Sequence, residues 1–208
     1  MPHILVADDH PLCREATAMA VASIDGSATV AASGTLGETL RELGNGKAVD
    51  LVVLDLSLPD AEGLDALVAV TGAGSQARVL IVSSRDGLDV QKLVQSMGAA
   101  GFVSKSEPIS AIASAVRTVL GGGQWFDARL ADMEASPLAA RIQRMGTLTP
   151  AQLRVLRAMS GGRLNKQIAH DLGLSEVTVK AHVKAILKKL DVVNRTQAVL
   201  EAQALDAL

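Results

Sequence analysis

A chain of 208 residues with 49% apolar content can bury two small cores and is too apolar to remain disordered. Cys13 is the only cysteine, which excludes an internal disulfide and a cysteine-based zinc site. The net charge is −2, yet residues 1–145 carry 11 Lys and Arg against 17 Asp and Glu, whereas residues 146–208 carry 9 against 5. An acidic part is therefore joined to a basic part suited to meeting a polyanion. No apolar run approaches the length of a membrane span, and the opening Pro2-His3-Ile4-Leu5-Val6 has no basic-plus-apolar leader. A soluble cytoplasmic protein with no membrane partner is expected.

In chain order, Ile4-Leu5-Val6-Ala7 reads as a buried strand ending at Asp8-Asp9, with Pro11 placed to start a helix. Ala28 to Ala32 reads as a weaker, more exposed second strand, and Thr35 to Leu43 as a helix closed by Gly44-Asn45-Gly46. Leu51-Val52-Val53-Leu54 is apolar at every position, the pattern of a strand covered on both faces of a parallel sheet, and it ends on Asp55. Pro59 and Gly63 then turn the chain. Arg78 to Val82 is a fourth strand ending at Ser83-Ser84, and Leu88 to Met97 is helical. Gly101-Phe102-Val103 is a fifth strand ending at Ser104-Lys105, and Pro108 opens a helix through Leu120. Five strands alternating with helices predict an α/β fold with a doubly wound parallel sheet.

Gly121-Gly122-Gly123 breaks this pattern, and residues 121–146 read as a linker holding one short helix. Thr149-Pro150-Ala151-Gln152 then combines an N-cap, a first-turn proline and the glutamine of a capping box. That helix runs to Met159. Asn165 to Leu172, Ser175 to about Leu190 and Thr196 to Ala207 follow as further helices. Four short helices with a three-residue turn at Gly173 predict a helix-turn-helix domain over 147–208, after a first domain over 1–120.

Asp8, Asp9 and Asp55 all fall at carboxyl ends of strands, hence on one edge of the sheet, where open α/β sheets place their chemistry. Two carboxylates about 4 Å apart repel by roughly 4 kcal/mol at an effective dielectric near 20. A hard divalent cation is the natural offset, and magnesium suits few carboxylates plus a phosphoryl oxygen. Ser83 and Lys105 bring a hydroxyl and a cation to the same edge. Each residue alone has an ordinary reading as a cap, a turn serine or a surface lysine. Together they can hold a phosphoryl group through transfer.

These residues, with Pro59 four beyond Asp55 and Phe102 three before Lys105, resemble the receiver domain of a two-component response regulator over residues 3–120. The resemblance implies a flavodoxin-like or CheY-like fold and phosphorylation of Asp55 by a partner histidine kinase. It further implies Mg2+ held by Asp9, Asp55 and the Ser57 carbonyl, with Asp8 acting partly through water. Lys105 and Ser83 would contact the phosphoryl oxygens, and Phe102 would turn inward as the switch.

In the third helix of the tail, Val179, Val183, Ile186 and Leu190 lie within about 60° at 100° per residue. Val177, Lys180, Ala181 and Lys184 cluster on the other face, and Lys188 continues it. Lysines there reach phosphates or guanine edges, and the small apolar residues allow close approach to bases. Leu148-Thr149-Pro150, Asn165 to Ala169, Ser175 to Val183 and Arg195-Thr196 resemble the LuxR-type helix-turn-helix. That resemblance implies double-stranded DNA as partner, with contacts from Lys180, Ala181 and Lys184, and a homodimer formed through the last helix.

The whole chain is similar to NarL/FixJ-type response regulators. The expected function is phosphorylation-controlled DNA binding and transcription, without enzymatic turnover. A regulator of the same fold that ignores phosphorylation is the alternative. A phosphohydrolase passing through an aspartyl phosphate fits less well, because Ser57 stands where such enzymes carry a second acid.

Overall fold

The computed structural model describes residues 1–208 apart from 23, 25–27, 62–63, 132–136 and 207–208. Gly63 and Ala207 of the sequence reading therefore lie outside the described residues. Residues 1–131 and 132–208 form two compact units.

In the first unit the apolar runs become β1 (His3–Ala7), β2 (Thr29–Ser33), β3 (Leu51–Leu54), β4 (Arg78–Ser83) and β5 (Gly101–Ser104). All neighbours pair in parallel, in the order β2-β1-β3-β4-β5. The helices α1 (Pro11–Ala22), α2 (Leu36–Gly44), α3 (Asp65–Gly72), α4 (Leu88–Ser96) and α5 (Ile109–Leu120) are the crossovers. Alternation along the strands sends Leu5, Val52, Leu54, Ile81 and Phe102 to one face, against Leu67 and Val70 of α3 and Val90 and Val94 of α4. Ile4, Val6, Val53, Leu80 and Val103 face the other way, onto Val21 of α1 and Ile112, Val116 and Val119 of α5. Each buried aliphatic side chain contributes about 1.5–3 kcal/mol relative to exposure, so both faces need their helices.

The strand order reverses at β1, with β2 on one side and β3 on the other. A crevice therefore opens between the loops after β1 and β3, and these two loops carry the acidic residues. The loop after β3 is tied down from a distance: the Leu36 and Gly37 N–H groups at the start of α2 donate to Asp60 at 2.6 and 2.9 Å. Slight desolvation pushes the carboxyl of the exposed Asp60 up, but these bonds to a helix N-terminus outweigh it and hold the pKa below its ordinary value. A depressed carboxyl stabilises the fold above its unfolded pKa, and the contribution fades as pH falls through the folded value. Asp60→Ala is expected to cost about 1 kcal/mol near neutrality. Urea unfolding should show the gap to wild type closing below about pH 4.

Residues 121–131 remain with the sheet. The Trp125 N–H donates to the Ala100 carbonyl and the Phe102 N–H to the Trp125 carbonyl, at 3.1 and 2.7 Å, beside the outer edge of β5. Gly101 is required there, since a Cβ would stand 2.9 Å from the Trp125 carbonyl oxygen and 2.8 Å from a Leu80 methyl. The Asp127 N–H donates to Gln91 Oε1 of α4, and a 3₁₀ turn follows at Ala128–Leu130.

The second unit contains α6 (Pro137–Gly146), α7 (Pro150–Ser160), α8 (Asn165–Leu172), α9 (Glu176–Leu190) and α10 (Arg195–Asp206). The capping box at the start of α7 is formed as its sequence predicts, with Thr149 and Gln152 bonded reciprocally. Gly173 ends α8 at φ +65°, a left-handed conformation that glycine adopts without strain. Asp191 ends α9 at φ +57°, where its short polar side chain makes the same conformation tolerable.

Candidate functional site

Each residue of the acidic edge continues a strand ladder by one step. The Asp8 N–H donates to the Ser33 carbonyl, the Asp55 N–H to Ala7 and the Lys105 N–H to Ser83, at 3.1, 2.8 and 2.9 Å. The backbone thus aims three side chains into the crevice above β1, β3 and β5. Lys105 Nζ lies 2.8 Å from Asp8 Oδ2 and 2.7 Å from Asp55 Oδ2. Asp55 is 1% exposed and Asp8 5%, so these charges interact with little help from water. Burial pulls the Lys105 pKa down, but hydrogen bonds to Asp55 and Asp8 and the charge of both carboxylates outweigh it, holding it above the ordinary lysine value. The carboxylate repulsion expected to call for a metal is thus met in part by an ammonium from the chain itself.

The remaining oxygens are also engaged. Asp8 Oδ1 accepts the His10 N–H at 2.8 Å, and Asp55 Oδ1 accepts the Ser57 N–H at 3.1 Å. Arg14 donates to the Asp8 carbonyl at 2.7 Å. Asp9 faces the opening, with His10 Nδ1 2.6 Å from its Oδ1. One donor atom from each of Asp8, Asp9, His10 and Asp55 falls within 4.8 Å of the others. Three carboxylates against one ammonium leave a formal charge of −2. An oxygen-rich pocket of that charge fits a hard divalent cation.

Ser83 and Ser57 meet this cluster through their backbones, while their side chains and that of Phe102 are placed differently. Ser83 is fully buried at the end of β4, and its Oγ accepts the Arg85 N–H at 3.2 Å. The Ser57 side chain is exposed. Phe102 is 3% exposed, seated in the core face that contains Leu54, Leu56, Val90 and Val94.

On α9, Val179, Ile186 and Leu190 are buried and Val183 is half-buried, while Val177, Lys180, Ala181, Lys184 and Lys188 are exposed. Ser175 Oγ caps the helix by accepting the Thr178 N–H at 3.0 Å. Lys189 turns inward and donates to the Thr147 carbonyl and Gln152 Oε1 at 2.6 and 2.9 Å, binding α9 to the start of α7. Lys180 is paired along the helix with Glu176 at 2.9 Å. Their hydrogen bond, followed by their opposite charge, lowers the Glu176 pKa.

Residues 4–117 match the family model of the response regulator receiver domain, and residues 146–202 that of the bacterial regulatory proteins of the luxR family. The chain belongs to the LuxR-type response regulators. This response regulator is 36% identical to the glycerol metabolism activator of Pseudomonas putida over 99% of its own length and 97% of that protein. Against the nitrate/nitrite response regulator NarP of Escherichia coli K12 it is 32% identical, over 95% and 92%. The RcsB response regulator of Salmonella typhimurium, 19% identical, shares its fold with a TM-score of 0.57, over 98% of this chain and 100% of that one.

Within this response regulator, sequence reasoning found Asp8, Asp9, Asp55 and Lys105 as one cluster and missed His10 and Arg14. The signal for His10 was its place between Asp9 and Pro11: a residue before proline is held extended, and the His10 carbonyl starts α1 by accepting the Arg14 N–H at 2.9 Å. Glu176 was missed because its bearing on Lys180 is a matter of helical spacing rather than of motif. Among the described residues no helix is long and apolar enough to cross a membrane.

Proposed function

We propose that Asp55 accepts a phosphoryl group from the phosphohistidine of a cognate sensor kinase, and that this controls binding of double-stranded DNA by α9 in a cytoplasmic homodimer. The observation that carries the reading is the meeting of Asp55, Asp8 and Lys105 at the point where the strand order reverses. An Asp55 carboxylate oxygen attacks phosphorus, the P–N bond to the kinase histidine breaks, and an acyl phosphate forms. Lys105, already 2.7 Å from Asp55, follows the developing charge onto the phosphoryl oxygens, and the Ser83 hydroxyl donates to another. Asp8, Asp9, Asp55 and the Ser57 carbonyl would hold Mg2+, which supplies charge neutralisation on the phosphoryl group. Phe102 is already inside the core, so coupling to the α4–β5–α5 face runs through repacking around its ring.

The assignment of phosphoacceptance to the domain expected over 1–120 and of DNA binding to that over 147–208 belongs to the same proposal; of the linker expected over 121–146, residues 121–131 pack with the first unit. So do Val177, Lys180, Ala181, Lys184 and Lys188 as the DNA-facing set, supported by their exposure on one face of α9. RcsB, which shares the fold at 18% identity and a TM-score of 0.58, has been solved in complex with DNA. No second acid follows Asp55 at Ser57, so the acyl phosphate is a signal rather than a turnover intermediate.

The test is intact mass after incubation with a small acyl phosphate and magnesium. Wild type is expected to gain one phosphoryl adduct and Asp55→Ala none, and only the adduct should change DNA affinity. An adduct that persists in Asp55→Ala, or steady hydrolysis of phosphate esters, would overturn the reading.

A further inference from the structure

His10 stands at the acidic site with a nitrogen donor that the phosphoryl-transfer chemistry does not use. Its backbone is held in place at the start of α1. Pro11 restricts its backbone, its carbonyl begins α1, and its N–H is bonded to Asp8 Oδ1 at 2.8 Å. Its Nδ1 lies 2.6 Å from Asp9 Oδ1 and 3.8 Å from Asp8 Oδ1. The 2.6 Å contact is a hydrogen bond to Asp9, and donor atoms of Asp8, Asp9, His10 and Asp55 all fall within 4.8 Å of one another, within reach of one ion once the ring gives up that bond. The side chain is 65% exposed, so little packing opposes its swing onto an ion at the rim.

We propose that His10 is a direct ligand of the divalent cation at Asp8, Asp9 and Asp55, and that it shifts the site's preference from magnesium toward imidazole-binding first-row ions. This rests on the metal-site reading above and extends it to ion selectivity. Magnesium gains little from a nitrogen ligand, whereas cobalt, nickel and zinc gain considerably. An all-oxygen pocket ranks these ions by charge and size, and one imidazole adds a term that magnesium does not share.

The experiment is calorimetric titration of the full chain with Mg2+ and, separately, Co2+, for wild type, His10→Ala and Asp9→Ala. His10→Ala is expected to lower the preference for Co2+ over Mg2+ about tenfold, with Mg2+ affinity kept within about twofold. Asp9→Ala is expected to weaken both ions together. In the Mn2+-loaded protein, pulsed EPR should show nitrogen-14 modulation in wild type that is lost in His10→Ala. If Asp9→Ala abolishes Mg2+ binding but His10→Ala leaves the ion preference and the nitrogen modulation unchanged, the metal site stands and the role of His10 falls. If wild type takes up no Mg2+, or Asp9→Ala binds it normally, the metal-site reading fails and this proposal with it.

Discussion

Lys105→Met is expected to lower the stability of residues 1–131 by about 3 kcal/mol in metal-free buffer, the scale seen when one partner of a buried ion pair is removed. The ammonium touches two carboxylates that are 1% and 5% exposed, and without it they repel each other where water screens poorly. Three outcomes follow from that picture. Millimolar Mg2+ should restore part of the loss, because a cation that binds only the folded pocket stabilises it by mass action. The double variant Lys105→Met/Asp55→Asn, which removes one charge of each sign, should be more stable than Lys105→Met alone, giving a coupling energy in a double-mutant cycle. The contribution of Lys105 should hold from neutral pH up to the ordinary lysine value. Because the folded pKa is raised, it is lost only as pH climbs through that higher folded value. Trp125, the only tryptophan, packs against the core of this unit, so its emission during urea unfolding reports on residues 1–131 rather than on the tail. A loss below about 1 kcal/mol with no recovery in Mg2+ would mean that the carboxylates are hydrated and the ammonium a bystander.

What could be read from the residues beforehand was whatever depends on short-range pattern. β3 declares itself because Leu51–Leu54 is apolar on both faces, and α7 because Thr149, Pro150 and Gln152 form a cap within four residues. The acidic cluster was legible because parallel strands deliver all their carboxyl ends to one edge, so Asp8, Asp55 and Lys105 needed no distances to be placed together. What escaped was set by partners far away in sequence. Asp60 caps α2 across 24 residues, and nothing near Asp60 announces it. α3 was not singled out, since Ala66, Leu67, Val68 and Val70 are all buried and leave little polar stripe to mark a helical period. Residues 124–130 look irregular because their order comes from β5 and Gln91 rather than from their own periodicity. The carboxylate repulsion was foreseen, but its first remedy was assigned to a metal. The 50-residue reach from Lys105 to Asp55 exists only once the sheet is assembled.

On α9 the expected result is unequal lysines. Lys184→Ala should reduce the salt dependence of binding to a random-sequence duplex by about 0.9 in the log–log slope and weaken binding roughly eightfold at 0.1 M salt, the worth of one phosphate contact. Lys180→Ala should cost less. Its ammonium already has a carboxylate 2.9 Å away at Glu176, and to neutralise a phosphate it must leave that partner or bring the charge of Glu176 with it. Glu176→Gln is therefore expected to tighten binding. In that background Lys180→Ala should become as costly as Lys184→Ala, a non-additivity that identifies the intrahelical pair as the cause. These positions are exposed and alanine favours helix, so lost binding in the alanine variants is not lost folding. Thermal melts of the variants check that directly. Unchanged slopes in both lysine variants would remove this face of α9 from the DNA contact. Equal slopes without any effect of Glu176→Gln would keep the face but free Lys180 from its partner in solution.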